Sequence, residues 1–118
     1  MPAMNISQRA LQIWSVLVLS AHNRQTITFE MLSKITGIPQ QGLGQALFLI
    51  QDYCKQNNLP PLTALVVKSK TGLPGSGLPL ADFPAALQKV FSYNWLGVGC
   101  PKPEDLKNAE KSRKKLRK

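Results

Sequence analysis

Three glutamines, Gln40, Gln41 and Gln45, have a side-chain type and a spacing that suit molecular recognition. A carboxamide both donates and accepts hydrogen bonds, and it can pair bidentately with the edge of an adenine base. Glutamine is also common on solvated helix surfaces. The three residues therefore predict either a base-contacting surface or an ordinary exposed helix face, and the rest of the chain must distinguish the two.

A second group of candidate contact residues lies at a stretch rich in glycine and proline, residues 69–79. Lys68, Lys70 and Thr71 carry ammonium and hydroxyl groups, which bind phosphate oxygens of a nucleic-acid backbone. The glycines also suggest a nucleotide-binding loop, but GLPGSG lacks the Lys-Ser/Thr ending and does not lead from a strand into a helix. The alternative to a contact loop is a simple connecting turn.

The net charge of +9 and the pI near 10.0 favour a polyanionic partner, because neutralising phosphates releases condensed counterions. Residues 1–100 have a net charge of +4, and residues 101–118 have +5. This basic tail predicts an arm on the phosphate backbone, and the alternatives are a localisation signal or a solubilising end. Its candidate contact residues are Lys111, Arg113, Lys114, Lys115 and Arg117.

Catalytic and metal-binding chemistry have few candidates in this chain. Zinc needs about four nitrogen or sulfur ligands, whereas His22, Cys54 and Cys100 are scattered, and Cys54 falls in an apolar helical pattern typical of a core thiol. A nuclease-like pair drawn from Asp105 and Glu110 would lie on a helix-prone tail without framing strands. We therefore expect a protein that is not an enzyme and that needs no metal or cofactor.

Residues 10–21 are apolar, follow an arginine and end in small residues, as an export signal does. However, Gln8, Gln12 and Ser15 form one polar stripe at helical spacing, and the segment is too short to span a bilayer. We interpret it as an amphipathic core helix of a cytoplasmic protein that does not contact a membrane.

Capping residues and hydrophobic periodicity define the elements that must position these groups. Ser7, Thr28 and Asp82 are the expected N-caps, and Gly37 is the expected left-handed helix stop. An irregular linker and a helix-prone basic run, residues 104–118, are expected at the end. The expected elements are helices over 7–22, 29–36, 39–56 and 83–93 and strands over 24–29, 62–68 and 77–80.

Residues 28–50, TFEMLSKITGIPQQGLGQALFLI, combine a capped helix, a Thr-Gly turn and a second helix that opens on small and polar residues. With the flanking elements, this order resembles the winged helix-turn-helix superfamily over about residues 7–80. The resemblance implies a mainly α fold with a small antiparallel β-ribbon. From the irregular linker and the basic run we expect a domain over residues 1–94, followed by a linker and a basic, disordered or helical tail over residues 95–118.

In that superfamily the second helix of the motif enters the major groove, so the resemblance implies a DNA-binding transcription regulator. Helix 39–56 would read bases, and the wing loop, residues 68–77, would contact the backbone. Such a protein would be associated with the nucleoid and could act as a homodimer. The alternatives are a protein-interaction module, such as an inhibitor or immunity-type factor with an acidic partner, and an RNA-binding accessory protein.

Several residues have two interpretations at this stage. Basic residues gathered beside Gln40 would favour DNA, whereas a neutral, apolar surface around Phe48 would favour a protein partner. Gly42 and Gly44 cost helix stability, and we expect one of them to allow tight helix packing rather than close approach to DNA. Trp95 could stack on a base, but we expect it to hold the C-terminal segment onto the core.

Overall fold

The computed structural model describes residues 5–72 and 82–116, with side chains described through residue 109. The described part is mainly helical, as expected, and its two short strands form one small sheet. The elements in chain order are α1 Ile6–His22, β1 Ile27–Thr28, α2 Phe29–Thr36, α3 Gln40–Gln56, a 3₁₀ helix Leu62–Leu65, β2 Val66–Val67, α4 Phe83–Ser92, α5 Trp95–Val98 and α6 Pro103–Leu116.

Helix α1 begins with a capping box centred on Asn5. The Asn5 side-chain oxygen accepts a hydrogen bond from the Gln8 backbone N–H at 2.9 Å, and the Asn5 N–H donates to the Gln8 Oε1 at 3.1 Å. This pair satisfies two backbone donors reciprocally. The expected cap at Ser7 is therefore wrong: Ser7 lies inside the helix, and its hydroxyl donates to Asn5.

The amphipathic character expected of α1 is confirmed. Ile13 and Leu17 are fully buried, whereas the polar stripe of Gln8, Gln12 and Ser15 is exposed. None of the described helices is long and apolar enough to cross a membrane.

Helices α2 and α3 follow each other through a turn of three residues, and they pack against each other. Thr28 caps α2 as expected, because its hydroxyl accepts a hydrogen bond from the Met31 N–H at 3.1 Å. Gly37 ends α2 with a φ of +75°, a conformation that favours glycine. Pro39 then occupies the N-cap position of α3, so the helix begins at Gln40, one residue later than expected.

The expected antiparallel β-ribbon is wrong, because the two described strands are parallel. Ile27 pairs with Val66, and Thr28 pairs with Val67. Two helices and a 3₁₀ helix connect β1 to β2, and a connection of this length carries the chain back to the start of the sheet, as parallel pairing requires. The expected return strand over residues 77–80 lies outside the described residues.

The strand expected over residues 62–68 is also wrong for its first half. Leu62–Leu65 form a 3₁₀ helix. Its first turn is closed by a hydrogen bond of 2.9 Å from the Ala64 N–H to the Pro61 carbonyl. Proline fixes the backbone φ near −65°, a value compatible with a tight turn. All four residues of this turn are buried, so its apolar pattern was a correct indication of the core.

Helix α4 packs on the core, with Val90 fully buried and Leu87 and Phe91 partly buried against it. Asp82 occupies the N-cap position of α4 as expected. However, among the described residues its side chain makes no capping hydrogen bond, because the Asp82 backbone is already helical, with φ −90° and ψ −9°.

The segment after α4 is held to the core by Trp95, as expected. Its side chain is 3% exposed, and its indole N–H donates to the Val90 carbonyl at 2.8 Å. The Trp14 ring contacts both Trp95 and Tyr53 edge to face, at centroid distances of 5.7 and 5.6 Å. This aromatic cluster joins α1, α3 and α5, and burial leaves Trp95 no surface for stacking on a base.

Helix α6 packs against α3 and α1, although its sequence is the strongly basic run expected at the end of the chain. Leu106 is 0% exposed, Ala109 is 4% exposed, and the Gln56 side chain donates to the Ala109 carbonyl at 2.6 Å. Two apolar residues at a spacing of three are enough to bury one face of a short helical segment. The domain boundary after residue 94 stays a prediction.

Candidate nucleic-acid interface

The parallel sheet brings two chain segments together at one edge. Strand β1 leads directly into Phe29 and Glu30 at the start of α2, and β2 leads directly into residues 68–71. Since the carboxyl ends of parallel strands meet at the same edge of a sheet, these segments become neighbours. This corrected topology positions the loop lysines beside the helices.

A turn shapes the loop after β2. The Lys68 carbonyl accepts a hydrogen bond from the Gly72 N–H at 2.8 Å, and Gly72 has a φ of +68°. Lys68, Lys70 and Thr71 are all exposed. The described part of the expected wing loop therefore presents both lysines to solvent, and its remainder, residues 73–77, lies outside the described residues.

A cavity of about 540 Å³ lies between this loop and the starts of two helices. It brings together four of the candidate contact residues, which are Gln40, Lys68, Lys70 and Thr71. Gln40 lies 28 or more positions before the other three in the sequence. Its lining residues are Phe29, Glu30, Gln40, Lys68, Ser69, Lys70 and Thr71. Helices α2 and α3 both begin here, and helix N-termini carry partial positive charge.

Gln41 and Gln45 do not line this cavity. Both side chains are exposed on α3, where Gln40 and Phe48 are exposed as well. The structure thus places the three glutamines outward on α3. Gln40, the first of them, lies beside residues 68–71, here called the lysine loop. The buried side of the same helix contains apolar residues at helical spacing, among them Leu43, Ala46, Leu47, Ile50 and Cys54.

Neither glycine of α3 is required by tight packing, contrary to our expectation for one of them. A Cβ placed on Gly42 would lie 3.4 Å from the Ile38 Cγ2 and 3.6 Å from the Arg9 Nη1, which are ordinary van der Waals contacts. A Cβ placed on Gly44 would meet no described atom within 4 Å, apart from its chain neighbours and the backbone of its own helix. Gly44 therefore sits on an open surface.

The Arg9 guanidinium, which lies beside Gly42, was missed by sequence reasoning. Arg9 lies on α1 and is partly buried, so it reaches the first turn of α3 from the side opposite the lysine loop. A single basic residue on the first helix carries no pattern that would connect it to α3. The positive charges of Arg9, Lys68 and Lys70 thus flank the start of α3.

One acidic residue, Glu30, also lines the cavity. Its carboxylate forms an ion pair with the Lys34 ammonium, with 3.4 Å between Oε1 and Nζ. The two groups are four residues apart on α2 and both are largely exposed, so the pair contributes little stability. Its main consequence is electrostatic, because Lys34 compensates the negative charge beside the lysine loop.

Apolar side chains are exposed on both helices of the motif. Met31 and Ile35 on α2 are 50% and 56% exposed, and Phe48 on α3 is 54% exposed. The spacing of Met31 and Ile35 places them on one face of α2.

The basic tail is described only in part. Lys111, Arg113, Lys114 and Lys115 lie within α6, whose backbone is helical, but their side chains are outside the description. Arg117 lies outside the described residues. The tail contacts therefore stay a prediction.

The two cysteines differ in environment. Cys54 is buried, as expected of a core thiol, and burial raises the pKa of its thiol to about 11, so the unreactive protonated form dominates at neutral pH. Cys100 is exposed.

Burial also raises the pKa of the Tyr53 phenol, with a smaller contribution from the charge of Asp105. Within the described residues, no three His, Cys, Asp or Glu side chains form a group that could hold a metal ion.

Comparison of the chain with protein-family models, curated proteins and solved structures gives no match. The winged helix-turn-helix resemblance therefore stays a prediction.

Proposed function

We propose that this protein is a non-catalytic DNA-binding regulator that inserts the exposed face of α3 into the major groove. One observation carries the proposal: the start of α3 and the lysine loop, distant in sequence, line one cavity. The proposal also draws support from the Arg9 guanidinium, which lies beside Gly42 in the first turn of α3. Cations near the start of a helix with an exposed polar face suit the phosphates that border a DNA groove.

In this proposal the groups have separate roles. Lys68, Lys70 and Arg9 bind the phosphate backbone and orient α3, while the glutamines face the base edges. The protein acts by occupying its site, and a homodimer would read two half-sites. The basic residues of α6 add affinity without sequence preference, since their interaction is electrostatic.

A second candidate function is supported by the exposed apolar residues Met31, Ile35 and Phe48. Charged residues are depleted from the centres of protein interfaces and aromatic residues are enriched there, so these residues favour an interaction module with an acidic protein partner. The position of the cations favours DNA instead, because Lys68, Lys70 and Arg9 lie at the start of the helix that presents the glutamines.

The experiment is a binding measurement with a labelled duplex of random sequence, about two helical turns long, at low salt. The double substitution K68Q/K70Q should weaken binding roughly tenfold, because it removes two phosphate contacts. The matched control is R24Q/K89Q, which removes the same charge from two exposed cations, one between α1 and β1 and one on α4. It should change affinity by less than about twofold.

The same assay separates the alternatives. Equal losses for the two double variants would contradict the proposed interface and leave only a diffuse charge effect. Structured RNA that displaces the duplex at lower concentrations than unlabelled duplex would favour the RNA-binding alternative. Absence of any duplex binding at low salt would refute the proposal and direct attention to a protein partner.

A further inference from the structure

The exposed face of α3 has a composition that restricts which bases it can recognise. Its outward positions through residue 51 contain four glutamines, one glycine and one phenylalanine, and none carries a charge. These residues recur at helical spacing opposite the buried apolar side, so they share one surface. The members of this surface, here called the α3 face, are Gln40, Gln41, Gly44, Gln45, Phe48 and Gln51.

The chemistry of the α3 face favours one kind of base pair. Guanine is read in the major groove by the cationic forks of Arg or by Lys, and cytosine by the carboxylates of Asp or Glu, whereas the α3 face has none of these residues. Glutamine pairs bidentately with the N6 and N7 atoms of adenine, and phenylalanine contacts the thymine methyl group. Both groups are therefore directed at A·T pairs.

The surroundings of the α3 face fit a groove rather than a flat surface. Cations lie near its first turn, with Lys68 and Lys70 at the cavity that Gln40 lines and Arg9 beside Gly42, while its centre is neutral. A DNA groove has the complementary arrangement, since phosphates line the rims and uncharged base edges form the floor. Gly44 adds an open position where the helix backbone can approach the base edges closely.

We infer that the ligand of the α3 face is an A·T-rich duplex read in the major groove, with the glutamines on adenine and Phe48 against a thymine methyl. This inference rests on the proposed DNA-binding function and adds its base preference. The exposure of Phe48, which argued for a protein partner, is accounted for by the same contact.

The first test is selection from a pool of random duplexes by the full chain, followed by sequencing of the bound fraction. The bound pool should contain a short A·T-rich motif that binds roughly tenfold or more tightly than the same duplex with those pairs changed to G·C. A G·C-rich motif, or no motif, would overturn the inference. In both of those cases the duplex binding itself would still support the proposed function.

A matched pair of variants assigns the preference to the α3 face. Q40A/Q41A/Q45A should lose the tenfold discrimination between the A·T-rich duplex and its G·C counterpart, and the binding to random duplex that remains should depend on the lysines, which are unchanged. These exposed changes replace glutamine with the best helix former, so the fold is retained, which circular dichroism would verify. K68Q/K70Q should show the reverse, with weaker binding and unchanged discrimination. Discrimination that survives the glutamine substitutions would overturn the inference.

The contact of Phe48 has its own probe, which is the selected duplex with uracil in place of thymine. Loss of the methyl groups should weaken binding of the unmodified protein about threefold. The free energy gained by burying one methyl group corresponds to roughly this change in the binding constant. In the Phe48→Ala variant the two duplexes should bind equally. An undiminished uracil effect in that variant would contradict the placement of Phe48 against thymine.

Discussion

Replacement of Gly44 by alanine should stabilise the protein and weaken its binding to DNA. The added methyl group meets no described atom within 4 Å outside the local helix and the chain neighbours, so we expect no steric cost. Alanine is more favourable than glycine within a helix by about 1 kcal/mol. For a chain of this size, that gain corresponds to a rise in Tm of about 4 °C. Thermal unfolding followed by circular dichroism would measure it.

The control for Gly44→Ala is the same substitution at Gly42, two residues earlier. Its new methyl would make ordinary contacts with Ile38 and Arg9, so a similar stabilisation should follow, and this variant is the control for the Tm alone. Gly44→Ala should weaken binding to the selected duplex, because its methyl group enters the closest approach of helix to bases. If Gly44→Ala lowered the Tm, the open surface at this position would be refuted. If Gly44→Ala bound DNA as tightly as the unmodified protein, Gly44 would have no role in the interface.

Three further predictions concern stability and follow from single contacts. Thr28→Ala should lower the free energy of unfolding, measured in urea, by about 1 kcal/mol, because it removes the cap on the Met31 N–H. Thr28→Ser should restore most of this stability, and an equal loss in both variants would contradict the cap. Leu106→Ala should cost about 3 kcal/mol, against less than about 0.5 kcal/mol for the exposed Leu96→Ala, and equal effects would refute the packing of α6. Folding raises the pKa of the Cys54 thiol, so stability present below pH 9 should fall as the pH rises through about 11. In urea unfolding, the Cys54→Val variant should lose less stability between pH 8 and pH 10.5 than the unmodified protein loses. An identical loss in the two proteins would contradict this assignment.

The helices were predictable because local rules decide them. Thr28 can cap only the helix that follows it, and Gly37 is the residue best able to adopt the left-handed stop. The buried side of α3 followed from apolar residues that recur at helical spacing. Each of these features depends on residues within one or two turns of the chain.

The sheet was not predictable by the same rules. Val66 pairs with Ile27, a partner that lies beyond two helices, and nothing in either strand specifies that choice or its direction. An antiparallel ribbon with a return strand over residues 77–80 was expected instead, in line with the resemblance to the winged helix-turn-helix superfamily. The 3₁₀ helix before β2 was missed because a short apolar run has the same pattern in a strand and in a buried turn.

The candidate site was predictable in its residue types and only partly in its geometry. Gln40, Lys68 and Lys70 were named from their chemistry, and the parallel sheet that brings them together became evident only in the structure. Arg9 was missed because its position beside Gly42 depends on how α1 packs across α3. Burial of α6 was missed because a strongly basic composition concealed two apolar residues, Leu106 and Ala109.

The salt dependence of duplex binding tests the central claim most directly. The logarithm of the binding constant should fall linearly with the logarithm of salt concentration, and each phosphate contact contributes about 0.9 to the slope. The slope of K68Q/K70Q should therefore be shallower than that of the unmodified protein by about 2, while R24Q/K89Q should keep the original slope. Identical slopes for all three proteins would contradict a phosphate-binding role for the lysine loop, and with it the proposed docking of α3.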